Sequence, residues 1–187
     1  AQLRNAFGGN FYEVIIGGAA FNREIEALLK DIGFNYTVGY GATECAPILS
    51  YADFKEFKLG SCGKAAPRME LKIDSSDPEN VVGEILAKGA NVMLGYYKNP
   101  EATAEVIKDG WFYTGDLGYI DQEGYIFITG RKKNVIITKN GKNVFPEEIE
   151  YQLSLFEEIA ESMVFEDDAA GKDDTVIIAG IYPDWAL

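Results

Sequence analysis

From Tyr12 to Val38 the chain sets two short runs of β-branched and aromatic residues on either side of one amphipathic segment, and that order leaves few topologies open. Tyr12-Glu13-Val14-Ile15-Ile16 reads as a strand. Gly17-Gly18-Ala19-Ala20 breaks it, and Asn22 is placed to cap a helix whose apolar stripe would be Ile25, Leu28, Leu29 and Ile32. Gly33 ends that helix, and Phe34 to Val38 reads as a second strand entering Gly39-Tyr40-Gly41. Two strands joined through a helix predict a parallel βαβ crossover.

From Leu59 onward the texture changes to short strands: Met69 to Ile73, Gly83 to Lys88, Trp111 to Thr114, Gly118 to Ile120 and Tyr125 to Ile128. Turn residues separate them, as in Asp74-Ser75-Ser76-Asp77-Pro78 and Asp121-Gln122-Glu123-Gly124, and the spacing predicts a distorted barrel or meander. Asn99-Pro100 opens a short helix through Ile107 that Asp109-Gly110 terminates. Beyond Gly130, strands Asn134 to Thr138 and Asn143 to Phe145 flank Asn140-Gly141, a hairpin signal. Pro146 then starts a helix with Glu147 and Glu148 at its positive end and an apolar stripe of Ile149, Leu153, Phe156 and Met163. A last strand covers Thr175 to Tyr182. The expected fold is α/β, then mainly β, divided at 1–58, 59–130 and 131–187.

Composition narrows the chemistry. With 187 residues, 47% of them apolar, the chain can bury a core, while its apolar runs fall far short of the roughly 20 residues that span a bilayer. A net charge of −13 repels nucleic acid. There is no histidine, so Ser-His and Cys-His hydrolysis are excluded, and Cys45 and Cys62 cannot build a usual zinc site. They are expected as buried thiols of a cytoplasmic protein. Residues 131–142 hold five basic side chains and no carboxylate, whereas 147–174 hold eleven carboxylates and one lysine. The basic hairpin suits an anionic ligand; lysines that protect a sheet edge explain it equally well.

Gly17-Gly18-Ala19-Ala20 is small enough for backbone to approach a flat ligand or a phosphate, or for strand and helix to pack closely. Gly39-Tyr40-Gly41-Ala42-Thr43-Glu44 offers a ring for stacking, flexible glycines, a hydroxyl for a phosphate oxygen and a carboxylate suited to magnesium. Together with Tyr113-Thr114-Gly115-Asp116, Gly130-Arg131 and the Lys139–Val144 hairpin, this pattern resembles the adenylate-forming, AMP-binding superfamily, and most of all its long-chain fatty-acid–CoA ligases.

The resemblance runs from about residue 12 to the end and implies a piece of a larger enzyme: the βαβ end of the large domain, a barrel subdomain and the start of a small α+β domain. It implies that Ala19, Ala20 and Tyr40 surround the adenine, with Gly18, Gly39 and Gly41 also among the cofactor-binding positions. Thr43 would meet the phosphates, Glu44 would hold Mg2+, and Asp116 and Arg131 would take the ribose. It places Lys133 at a hinge and the backbone near Gly141 beside the pantetheine thiol of coenzyme A. Thr43, Glu44 and Lys133 are thus the expected catalytic residues. Gly83 to Gly89 and Val92 to Thr103 are read as scaffold. The implied reaction uses ATP to turn a carboxylic acid into an acyl-AMP, from which coenzyme A displaces AMP. The implied partners are ATP, a fatty acid and coenzyme A, with peripheral membrane contact of the parent left open. No phosphate loop with its lysine precedes these motifs and Lys172 does not match the family's final catalytic lysine, so the isolated chain is expected to be inactive. Two alternatives stay open: a non-catalytic nucleotide-binding or interaction module, and an adenylating domain for another carboxylic acid.

Overall fold

The computed structural model describes residues 2–18, 21–167 and 175–185. The chain divides into two compact units, residues 1–114 with 118–128, and residues 115–117 with 129–187.

In the first unit a short helix, α1 (Gln2–Ala6), precedes β1 (Val14–Ile16), α2 (Arg23–Asp31) and β2 (Tyr36–Val38). The two strands pair in parallel, Val14 opposite Tyr36 and Ile16 opposite Val38, so the βαβ crossover forms as expected. Asn22 caps α2, its side-chain oxygen accepting the N–H groups of Glu24 and Ile25 at 2.9 and 3.1 Å. The face that α2 buries is not the expected one. Leu29 is 8% exposed, but Ile25, Leu28 and Ile32 are 47, 56 and 54% exposed. The helix turns Glu26 and Leu29 inward because Glu26 finds partners there. Its carboxylate accepts the Gly60 N–H at 2.9 Å, and its backbone carbonyl accepts the Tyr36 hydroxyl at 2.8 Å. Leu29, Tyr36 and Val38 form a small core with Ile16, Phe21, Phe34, Phe57 and Cys62 around it. Burial removes water from the Glu26 carboxyl and raises its pKa.

Next come β3 (Tyr40–Gly41), β4 (Ile48–Tyr51) and β5 (Lys64–Ala65), an antiparallel three-stranded piece in that order. Strands this short show no period in sequence, and this sheet was not expected. The remaining strands are β6 (Met69–Asp74), β7 (Gly83–Gly89), β8 (Ile107–Lys108), β9 (Trp111–Ile120) and β10 (Ile126–Arg131). They form a curled half-barrel sheet in the order β10-β9-β7-β6, with β8 paired to β9. The two strands expected between Trp111 and Ile120 are one, β9, despite Gly115 at φ +75°. Between β7 and β8, α3 (Pro100–Val106) is capped by Asn99, whose side chain accepts the Ala102 N–H at 3.0 Å. Asp109-Gly110 does more than end a helix. Ile107 faces Phe112 and Lys108 faces Trp111 across these two residues, whose φ angles are +52° and +78°, as a type I′ hairpin turn requires. The main core of this unit is Tyr40, Cys45, Leu49, Ile73, Ile85, Ala87, Phe112 and Ile126.

The second unit contains the 3-10 turn Lys132–Asn134, β11 (Ile136–Ile137), β12 (Asn143–Val144), α4 (Pro146–Leu153), β13 (Ile159–Glu166) and β14 (Ile177–Pro183). The expected hairpin is present, with Ile136 opposite Val144, but its ladder is shorter than expected. Thr138 takes over beyond Ile137, donating its N–H to the Lys142 carbonyl at 2.9 Å and accepting the Lys142 N–H on its hydroxyl at 3.1 Å. Pro146 opens α4 with Glu147 and Glu148 in the first turn. The stripe expected to run on through Phe156 and Met163 does not form. The helix ends at Leu153, where the Ser154 hydroxyl donates to the Tyr151 carbonyl at 2.8 Å; Phe156 is 59% exposed and Met163 lies in β13. β13 pairs antiparallel with β14, which satisfies backbone that a longer helix would have satisfied internally. Glu150 joins the helix to that sheet by accepting the Val164 N–H at 2.8 Å. Ala19, Ala20 and Lys172 lie outside the described residues.

Candidate functional site

Each unit contributes its own set of site residues. In the first, Gly39, Tyr40 and Gly41 enter the turn Thr43–Cys45 from β3. Gly41 has no room for a side chain, since a Cβ there would lie 2.1 Å from the Pro47 carbonyl oxygen. That approach lets the Ala42 N–H donate to the same oxygen at 2.9 Å and fold the turn back on itself. The Cys45 N–H returns to the Ala42 carbonyl at 2.9 Å, and Ala46 closes the turn at φ +55°. Gly39 makes ordinary contacts, with a Cβ position 3.5 Å from the Ser50 carbonyl, and donates its N–H to Ile16 at 2.8 Å. Gly18 sits at φ +92° with open space around its Cβ position.

Tyr40 is a core residue, 7% exposed, so its ring serves packing first and offers a ligand little surface. Thr43 is exposed and Glu44 is half-buried. The Glu44 carboxylate accepts the Tyr96 hydroxyl at 3.0 Å, and its backbone carbonyl accepts the Met93 N–H at 2.7 Å. Asn91 donates to the Cys45 and Ile48 carbonyls at 2.6 and 3.1 Å. Sequence reasoning took this stretch for scaffold. The signal that marks it is the combination of Asn91 and Tyr96 between β7 and α3 with Thr103 inside α3, polar groups that an ordinary strand connection would not need. Cys45, at 0% exposure, is a buried thiol pushed up to about 11 by burial and by Glu44, which makes it a poor nucleophile at neutral pH. Burial and the Glu44 carboxylate likewise raise the Tyr96 phenol, which keeps it a donor.

Among the described residues no group of three or more Cys, Asp or Glu side chains is arranged to hold a metal. One accessible carboxylate on a fixed turn nevertheless fits magnesium, which is held by one or two carboxylates, waters and substrate phosphates rather than by a protein cage. An open cavity of about 370 Å³ in the same unit is lined by Lys30, Glu56, Phe57, Lys58, Leu59, Glu123 and Tyr125 and shares no residue with the expected site. Lys58 spends its charge there on Asp121 and Glu123, both at 2.7 Å.

In the second unit Asp116 is 6% exposed and forms an ion pair with Arg131, a carboxylate oxygen 2.9 Å from Nε, while the arginine side chain remains 56% exposed. A carboxylate held this way is fixed before any ligand arrives. The Glu147 carboxylate packs over Gly130, where a Cβ would come 2.9 Å from it. Glu147 in turn accepts the Asn134 side-chain N–H at 2.8 Å, which secures the end of the turn that carries Lys133. Lys133 is exposed on that turn. Gly141 stands at φ +72° with nothing near its Cβ position, and its N–H donates to the Thr138 carbonyl at 2.8 Å. Among the described residues no helix is long and apolar enough to cross a membrane.

A family model described as AMP-binding enzyme matches residues 2–97, just over half of the chain. A long-chain-fatty-acid–CoA ligase, FadD15 of Mycobacterium bovis, is 38% identical over 166 residues, covering 89% of this chain and 27% of its own length. Indoleacetate–CoA ligase of Aromatoleum aromaticum is 47% identical over 132 residues, covering 67% of this chain and 26% of its own. The chain thus spans about a quarter of the length of these curated relatives. Among solved structures, o-succinylbenzoate coenzyme A synthetase from Bacillus subtilis, in complex with ATP and magnesium ion, superposes with a TM-score of 0.81 at 27% identity. That match covers 96% of this chain and 40% of the synthetase.

Proposed function

Because the chain belongs to the AMP-binding enzyme family, we propose that it is the nucleotide-handling segment of an acyl-CoA ligase that activates a long-chain fatty acid as its acyl-AMP and passes it to coenzyme A. The observation that carries this reading is the Asp116–Arg131 pair. A carboxylate fixed by an arginine can accept two ribose hydroxyls at once, and the exposed guanidinium adds positive charge for phosphate oxygens. Thr43 is assigned to the phosphates, Glu44 to magnesium and the Tyr40 edge to the adenine, with the backbone of Gly18, Gly39 and Gly41 assigned to the nucleotide. Lys133 is assigned to the hinge between half-reactions and Gly141 to the pantetheine arm. The division at 1–58, 59–130 and 131–187 and a cytoplasmic location belong to the same proposal.

A carboxylate is a poor electrophile. In the proposed reaction its oxygen attacks the α-phosphorus of ATP, pyrophosphate leaves, and the thiol of coenzyme A then displaces AMP. Bound magnesium would neutralise phosphate charge as pyrophosphate departs. The protein's part is positioning and charge compensation, which needs no histidine. FadD15 supports a fatty acid as the substrate, and the indoleacetate enzyme supports an aryl acid as the second reading. By itself the 187-residue chain is expected to make no acyl-CoA.

The test is Asp116→Ala in a full-length protein that carries this segment, assayed for pyrophosphate release with a panel of acids. Each hydrogen bond to a charged group is worth about 1.5–3 kcal/mol, so the ATP requirement should rise by about tenfold or more. An unchanged ATP dependence would make Asp116 a turn former and remove the basis of the reading. Turnover with palmitate exceeding that with aryl acids is expected, and the reverse order would select the second reading.

A further inference from the structure

We propose that Tyr96 is a positioning residue that aims the Glu44 carboxylate, and that Thr103 sets Tyr96. The inference rests on the assignment of Glu44 to magnesium.

Tyr96 lies 52 positions beyond Glu44 and reaches it through its hydroxyl at 3.0 Å. Its neighbours are not held in this way: Leu94 and Tyr97 are 103 and 87% exposed, against 37% for Tyr96. The backbone of Tyr96 is anchored to α3, its N–H donating to the Thr103 hydroxyl at 2.9 Å. Thr103 donates that hydroxyl to the Asn99 carbonyl at 2.8 Å, and the Asn99 side chain caps the helix. Gly95 permits the approach, standing at φ +150° where a Cβ would lie 2.8 Å from the Thr103 methyl. A chain of contacts therefore runs from the start of α3 through Thr103 and Tyr96 to one oxygen of Glu44.

The turn itself does not depend on this contact. Met93 and Asn91 hold its backbone carbonyls directly, so removing the Tyr96 hydroxyl releases the carboxylate without releasing the turn. The chemistry of the donor also fits. A neutral phenol fixes one carboxylate oxygen and leaves the negative charge to attract a cation, where a lysine would neutralise it. A hydroxyl kept only to satisfy a surface carboxylate would not need anchoring through a glycine and a helix cap.

The experiment is calorimetry of ATP binding to a full-length protein carrying the segment, in magnesium and in EDTA, with Tm recorded for each variant. Outer partners of metal ligands are worth about 10–100-fold in affinity, so Tyr96→Phe should cut the gain from magnesium by about tenfold. Its affinity in EDTA and its Tm should stay unchanged. Glu44→Gln should abolish the gain, and adding Tyr96→Phe to it should cost nothing more. Thr103→Val should weaken the gain and Thr103→Ser should restore it. If Glu44→Gln removes the gain while Tyr96→Phe keeps it, the positioning role is overturned and the Glu44 assignment survives. If Glu44→Gln keeps the gain, both fall. Equal losses in magnesium and EDTA for Tyr96→Phe would also overturn the inference, because a merely structural contact behaves that way.

Discussion

Gly41 shows how one missing atom builds the Thr43–Glu44 turn. Its Cβ position is 2.1 Å from a backbone oxygen, a distance that no rotamer change relieves, so Gly41→Ala should cost about 2 kcal/mol or more. Denaturant melts would read this, and a cost below about 0.5 kcal/mol would show that the turn has slack. Glu26 makes a second prediction. Burial raises its folded pKa above the unfolded 4.5, so the group supports folding while protonated and that support is lost as pH rises through the folded value. Arg23 and Lys30 offset part of the shift. Glu26→Gln keeps an acceptor for Gly60 and removes the buried charge, so its Tm relative to the unaltered chain should climb as pH rises above 4.5. A constant difference would contradict this. At this scale the sequence marked residue types that suit the proposed tasks, Glu44, Asp116 and Gly141 among them. It did not reveal their partners. Tyr96 supports Glu44 from 52 positions away, and Tyr40, legible as a ring, is spent mostly on the core.

The elements show where local pattern and tertiary context diverge. The crossover, the Asn22 cap and the Asn140-Gly141 hairpin were legible because cap and turn chemistry is local. The buried face of α2 was not, because Glu26 is drawn inward by Gly60, and no period in the helix records that. The consequence is measurable: Leu29→Ala should cost about 2–5 kcal/mol, while Leu28→Ala, one residue away, should stay near 0.5 kcal/mol. Equal costs would mean that the stripe read from sequence is the buried one. β13 was missed for a related reason. Met163 was read as the end of the stripe that begins at Ile149, and only pairing with β14 makes its segment a strand.

For the whole molecule the proposed reading is adenylate chemistry in a longer protein, with each unit supplying its own residues. Charge is consistent with it, since a chain of net charge −13 that keeps five basic residues together at 131–142 directs anions to that segment. The fold class was legible from the order of strand, helix and turn signals. The acid to be activated was not, because the relatives that match this segment are named for different acids. The most direct test is to give a full-length protein carrying the segment ATP, magnesium and palmitate without coenzyme A, and to identify the products by mass spectrometry. The account predicts palmitoyl-AMP and pyrophosphate, with AMP and palmitoyl-CoA appearing once coenzyme A is added. Formation of ADP and phosphate, or no acid-dependent use of ATP across a panel of carboxylic acids, would contradict it.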